Sequence, residues 1–272
     1  MMRTKANLRD TGLDVICGLL VLHMILGHIF SNFCGIEDSV FYYWEERLLF
    51  FFMPWFFFKN GMFFKPKTEQ KTFIKRDFRR FMIPFIIWSA IGEIIRWIDV
   101  ALSANATSIA WYAASIKSLI VKGMILGNAP LWFLLSLFIV RIIFNAAMRV
   151  RQLPLALTLA SICFAYMCWK LDFNWMVSVS HALLGFFCFG CGYFLKEKQR
   201  SIHVVALAGM SLFAITAISP TYIRMCSNTM AYGSCYFVGI VAAIASIVLI
   251  NNILPPPHTQ FGELFHAVFW HL

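Results

Sequence analysis

Charge is scarce in this chain. Only 13% of its 272 residues are Asp, Glu, Lys or Arg, against roughly 25% in an average soluble domain. Acid is scarcer still, with 13 Asp and Glu against 23 Lys and Arg. A surface so poor in charge excludes an ordinary water-soluble domain. The sequence also lacks a soluble basic domain or any recognition motif, so its net charge of +10 does not point to nucleic acid. No small-residue cleavage site follows the first apolar run, and no secretory signal peptide is expected. Eight cysteines include one Cys-x-x-Cys pair, Cys188 and Cys191. It has no second pair and no nearby histidine, which predicts packed thiols and no metal site. No internal repeat of the first spans is found, an absence that favours an enzyme over a transporter.

What the chain has in quantity is apolar length: 60% of it is hydrophobic and its mean hydropathy is +0.73. Long runs of this kind need lipid as solvent. Requiring about 20 residues to cross a core of about 30 Å predicts spans at 13–33, 40–63, 80–101, 130–148, 153–170, 176–195, 202–219 and 233–251, with a ninth starting near 261. The expected fold is therefore all-α, a polytopic integral membrane helical bundle of about eight to nine transmembrane helices in a single domain, 1–272. The ninth run stops at Leu272, after "PPPHTQFGELFHAVFWHL", at about half a span. The expectation is a C-terminus truncated or frameshifted from a bundle of about ten helices.

Basic loops orient the spans. Arg3, Lys5 and Arg9 precede span one, "KPKTEQKTFIKRDFRR" (65–80) joins spans two and three, Arg149 and Arg151 follow span four, and "KEKQR" (196–200) follows span six. Simple alternation puts all four on one side, and the positive-inside rule makes that side the cytosol, N-terminus included. The stretch 102–129 on the other side reads as an interfacial helix or re-entrant piece, with Trp111 and Tyr112 as headgroup anchors. A full span there would invert everything downstream.

Polar residues inside the spans are the candidates for chemistry. "LDVICGLLVLHMILGH" (13–28) carries Asp14, His23 and His28. The two histidines point about 140° apart on a helix, so this helix alone cannot hold a metal between them. Asp14 and His28 fall within about 40° of one face, about 21 Å apart along it. For His28 two readings stand: an imidazole hydrogen-bonded between helices, or a general base titrating near working pH. His23, on another face, reads as structural. Glu93, Arg96 and Asp99 stand at i, i+3 and i+6, which predicts successive ion pairs. Cys226 and Cys235 border an outer loop where an oxidising compartment would allow a disulfide. Gly185, Gly190 and Gly192 read as helix-packing residues.

The stretch "RLLFFFMPWFFFKNGMFFKPKTEQKTFIKRDFRRFMIPFIIW" (47–88) couples an aromatic span broken at Met-Pro to a basic loop and then to "RRFMIPFIIW". It resembles the membrane-bound acyltransferase type 3 family, whose pattern runs "HMPLFFFLSGYFF", basic loop, "RLLIPYLFW". Leu13 to His28 is similar, without a gap, to the family's first span, and "PLWFLLSLFIVRIIF" (130–144) to its "LWFLLALF" span. The three matches keep the family's order within roughly the first 150 residues; Arg141 lies in the third, where it could reach a bundle cavity.

The resemblance implies a membrane O-acyltransferase of the bacterial inner membrane. Acetyl or another acyl group would pass from cytosolic acyl-coenzyme A, a donor substrate and no resident cofactor, to a hydroxyl of a cell-envelope glycan or lipid-linked sugar. The family's catalytic histidine falls on His28. Its basic partner eleven residues earlier falls on Cys17, which cannot supply the charge. Its His before Met-Pro is Phe52 here, and its Ser-Gly is Asn60-Gly61, preceded by Lys59. Lys59 either snorkels to the interface or restores the cation missing at Cys17. Arg76, Arg79 and Arg80 either bind the coenzyme's phosphates or set topology. For substrate binding the candidates are Asp14, Asn60 and Trp132. Asp14 would orient a cation or cap the first helix; Trp132 would line the acceptor cavity or anchor at the interface. The competing class is a non-catalytic membrane protein, either a glycan or lipid transporter or an inactive relative, favoured by Cys17 and the shortened end.

Overall fold

The computed structural model describes residues 11–29, 49–102, 109–173, 177–198, 200–218, 222–231 and 236–253. Its helices are α1 (Thr11–Ile29), α2 (Phe52–Met62), α3 (Gln70–Asp77), α4 (Ile83–Leu102), α5 (Ile109–Lys122), α6 (Trp132–Ala147), α7 (Leu153–Lys170), α8 (Val177–Leu195), α9 (Ile202–Ile218) and α10 (Tyr236–Ile253). A π-helical turn, Phe78–Met82, joins α3 to α4, and a 3-10 segment, Leu126–Leu131, leads into α6. Among the described residues, five stretches are long and apolar enough to cross a membrane: Gln70–Leu102, Ala114–Ala147, Leu153–Lys170, Val177–Leu195 and Tyr236–Ile253. The chain is thus a multi-pass membrane protein with an essentially helical fold.

Hydropathy and the helices agree where a run is bounded by charge or proline. The expected span 153–170 is α7, opened by Pro154 in the first turn, where a missing N–H costs nothing. Two places differ. Before α6 the chain is not yet α-helical at Pro130, because Asn128 (φ −153°, ψ 66°) breaks the helical path inside the 3-10 segment. A two-stranded hairpin, β1 (Tyr222–Arg224) and β2 (Thr229–Ala231), was not foreseen in an all-α reading. Its turn is closed by Asn228 at φ 51°, a left-handed conformation that asparagine tolerates. Residues 30–33, 40–48 and the ninth run near 261 lie outside the described residues, as do Cys235 and the side chains of Trp111 and Tyr112.

The chain divides into two compact units. The first comprises Met1–Phe56, Glu197–Tyr222 and Phe237–Leu272. In it α1 buries Leu13 and Leu20, while Leu19, Leu22, Ile25 and Ile29 are exposed, the pattern of a helix with a lipid-facing side.

The second comprises Phe57–Lys196 and Ile223–Tyr236. Its centre is aromatic: the rings of Phe64, Phe144 and Phe189 meet pairwise, with centroids 5.0 to 5.5 Å apart. Close backbone approach surrounds this cluster. A Cβ on Gly61 would strike the Phe189 carbonyl, and one on Gly192 the Phe58 carbonyl, so α2 and α8 touch backbone to backbone. Gly190 admits Thr158 of α7 and Gly185 the ring of Phe57. The hairpin is pinned through Asn228, whose Nδ2 donates to the Ala165 carbonyl (2.9 Å) and to Ser180 Oγ, while Tyr236 donates to its Oδ1. On α4 the opposite holds. Ile86, Ile87, Trp88, Ile94 and Ile95 are exposed, an apolar surface that suits lipid and not water.

Candidate functional site

The segment from Gln70 to Met82 has two unlike faces. Phe73, Asp77 and Phe81, at i, i+4 and i+8, are buried, whereas Thr72, Lys75, Arg76, Arg79 and Arg80 are exposed. Those five line one open cleft of about 450 Å³. All three arginines expected to hold the donor's phosphates therefore meet at one place, joined by Lys75. The turn that carries Arg79 and Arg80 is widened: the N–H of Ile83 reaches back five residues to the Phe78 carbonyl. Pro84 accounts for this, since it has no N–H to give to Arg80 and its ring crowds that carbonyl. Wide turns of this sort recur at functional sites.

The buried face is held by α6. Arg141 Nε donates to Asp77 Oδ2 at 2.6 Å, and its guanidinium lies 5.3 to 5.7 Å from the ring centroids of Phe64, Phe73 and Phe81. One turn further along α6, Asn145 clamps the chain entering α3. Its Oδ1 accepts from the Lys67 N–H (2.8 Å), and its Nδ2 donates to the Lys67 carbonyl (3.1 Å) and to Gln70 Oε1 (2.6 Å). Gln70 in turn donates to the Ile142 carbonyl at 3.1 Å.

Lys59 and Asn60 stand at the end of α2, half-buried, and are not among the residues lining the cleft. In the first unit, Asp14 lies in the first turn of α1 and His28 in its last, the aspartate half-buried and the histidine exposed. Between them, Cys17 accepts a hydrogen bond from Trp55 Nε1 at 3.2 Å. His23 packs edge-on against Phe52, with ring centroids 5.0 Å apart.

Trp132 is only 5% exposed and so is not a surface anchor. Its ring meets that of His181 edge-on at 4.5 Å. His181, which the sequence reading passed over, is fully buried on α8. One ring nitrogen lies 3.1 Å from the Lys122 carbonyl and the other 3.1 Å from Ser136 Oγ. A carbonyl only accepts, so Nε2 carries the proton and Nδ1 accepts from the Ser136 hydroxyl. The group ties α5, α6 and α8 together. Gly123, at φ +69°, makes the turn that brings the Lys122 carbonyl there.

The ion pair expected at Glu93 and Arg96 is present, at 2.9 Å. Glu93 does more than pair: its Oε1 accepts from Ser115 Oγ and from the Gly127 N–H, both at 2.7 Å. The 3-10 segment is thereby latched to α4, where Gly92 and Gly127 approach too closely for any Cβ.

These features define a helical membrane protein with a cationic cleft beside the start of a span. The profile of the acyltransferase domain family matches residues 10–261, and the chain belongs to that family of membrane acyltransferases. No curated protein and no solved structure matches the chain significantly.

Proposed function

We propose that this protein transfers an acyl group, acetyl foremost, from acyl-coenzyme A to a hydroxyl of a cell-envelope glycan or lipid-linked sugar, in the bacterial inner membrane with its N-terminus in the cytosol. The observation that carries the donor half is the cleft of Lys75, Arg76, Arg79 and Arg80 in a chain of this family. Guanidinium groups suit phosphate oxygens in geometry and charge, and coenzyme A offers three phosphates. His28 is the proposed general base. It takes the acceptor's hydroxyl proton as the oxygen attacks the thioester carbonyl, the carbon–sulfur bond breaks, and the coenzyme leaves as a thiolate that recovers the proton.

A second reading, an inactive relative, is favoured by Cys17, whose thiol accepts from Trp55 where the family carries a cation. One experiment separates the two. Membranes carrying the wild-type chain, the His28→Ala variant or neither are given labelled acetyl-coenzyme A, and envelope glycans are assayed for label. Transfer that disappears in His28→Ala at equal membrane level supports the enzyme; equal label in all three supports the inactive relative.

A further inference from the structure

Asp77 is 0% exposed, and its two carboxylate oxygens serve two different cations. Oδ2 accepts from Arg141 Nε at 2.6 Å, and Oδ1 from Arg76 Nε at 3.1 Å. Arg141 is an interior residue, 5% exposed, whereas the Arg76 side chain is 41% exposed and lines the cleft. A single buried carboxylate thus ties a cation of the bundle interior to a cation of the cleft.

Stability alone does not explain such a pair. Two well-packed apolar residues of similar volume are often as stable as a buried ion pair or more so, because desolvation consumes the Coulombic gain. What the pair supplies is direction. The rings of Phe73 and Phe81, one turn to either side of Asp77, flank the Arg141 guanidinium at 5.7 and 5.3 Å, so the donor that meets Asp77 is held from both sides. The carboxylate so fixed then sets the Arg76 fork, and it immediately precedes the wide turn bearing Arg79 and Arg80.

We propose that Asp77 and Arg141 are a positioning pair for the acyl-donor cleft: they hold Arg76 and the Arg79–Arg80 turn in the arrangement that grips the donor's phosphates, without touching the donor themselves. The proposal rests on the reading of the cleft as the coenzyme A site.

The test uses the full chain in lipid nanodiscs, with coenzyme A binding measured by calorimetry and donor kinetics with acetyl-coenzyme A. The double variant Asp77→Leu/Arg141→Met removes the pair and keeps the volume, and it should melt close to the wild type. Its dissociation constant for coenzyme A and its donor KM should both rise about tenfold, with kcat within about twofold, the signature of lost uniform binding. A triple variant, Arg76→Gln/Arg79→Gln/Arg80→Gln, reports on the cleft itself. Weakened binding in both variants supports the proposal. Weakened binding in the triple variant alone overturns the positioning role and leaves the cleft standing. Unchanged binding in the triple variant, or no binding by the wild type, overturns the cleft reading and the pair with it. Should the double variant not fold, Arg141→Lys and Asp77→Asn replace it: Lys keeps a charge for Asp77, so binding should hold within about threefold there and fall further in Asp77→Asn. Equal binding in those two overturns the proposal.

Discussion

The imidazole of His23 stands edge-on to the ring of Phe52, with centroids 5.0 Å apart and planes at 85°. Phe52 occupies the position where the family pattern carries a histidine before Met-Pro. The histidine of this pair therefore sits on α1 and the hydrocarbon ring on α2, and this contact is what the expected structural role of His23 rests on.

His23→Phe should consequently keep both fold and acyl transfer. The edge-to-face contact survives the exchange, whereas His23→Ala should cost about 1 kcal/mol of stability. Thermal melting in detergent and the labelled-acetyl assay check the two halves. A His23→Phe variant that folds and inserts normally but transfers nothing would return the imidazole to the chemistry.

Cys17 supplies the acceptor for a buried indole. Cys17→Ser should preserve it, while Cys17→Ala leaves the Trp55 N–H unsatisfied at a cost of about 1 kcal/mol. If Lys59 replaces the family's missing cation, moving the charge back with Cys17→Arg/Lys59→Leu should retain transfer; loss of transfer by that double variant, still membrane-inserted, would argue that Lys59 only snorkels.

Gly61→Ala and Gly192→Ala should each be poorly tolerated. In both cases the new methyl meets a backbone carbonyl, of Phe189 or of Phe58, and backbone in a packed helix pair cannot swing aside as a side-chain tip can. A loss of about 3 kcal/mol or more is expected, read as aggregation or lowered melting temperature in size-exclusion chromatography. Gly18 on α1, with open space around it, is the matched control.

His181→Phe should fill the space yet destabilise. It leaves the Ser136 hydroxyl and the Lys122 carbonyl without their ring partner, at about 2 kcal/mol or more. The companion Ser136→Ala should cost less, because the imidazole keeps its bond to Lys122. Melting curves of the two variants check the order.

Much of the architecture is legible without coordinates. Apolar runs closed by charge or proline, such as 153–170, fall on helices because both ends are marked chemically. The cleft arginines are legible too, since Arg76, Arg79 and Arg80 follow a helical repeat at the head of a span. Arg141 is not legible as their support. A contact between residues 64 apart has no periodic signature, and an arginine in an apolar run reads equally well as facing a cavity. His181 was missed although an imidazole inside the run "VSVSHALL" meets the same criterion that singled out His23 and His28. Its partners, a serine and a main-chain carbonyl, leave no mark in the sequence. The hairpin was missed for a related reason: Asn228 looks like any loop polar residue until its left-handed backbone and three side-chain bonds are seen.

Between Gln70 and Met82 the cations face outward while Phe73, Asp77 and Phe81 face inward, so the segment is locked in phase. Altering a letter there changes one contact, but adding or deleting one residue ahead of Asp77 turns everything on one side of the insertion by about 100° relative to the other, driving arginine toward the aromatic interior and the carboxylate toward water. Spacing is therefore under tighter constraint than identity. Natural variation in this segment should run to substitutions such as Lys for Arg, and length changes should collect in the loop before Glu69.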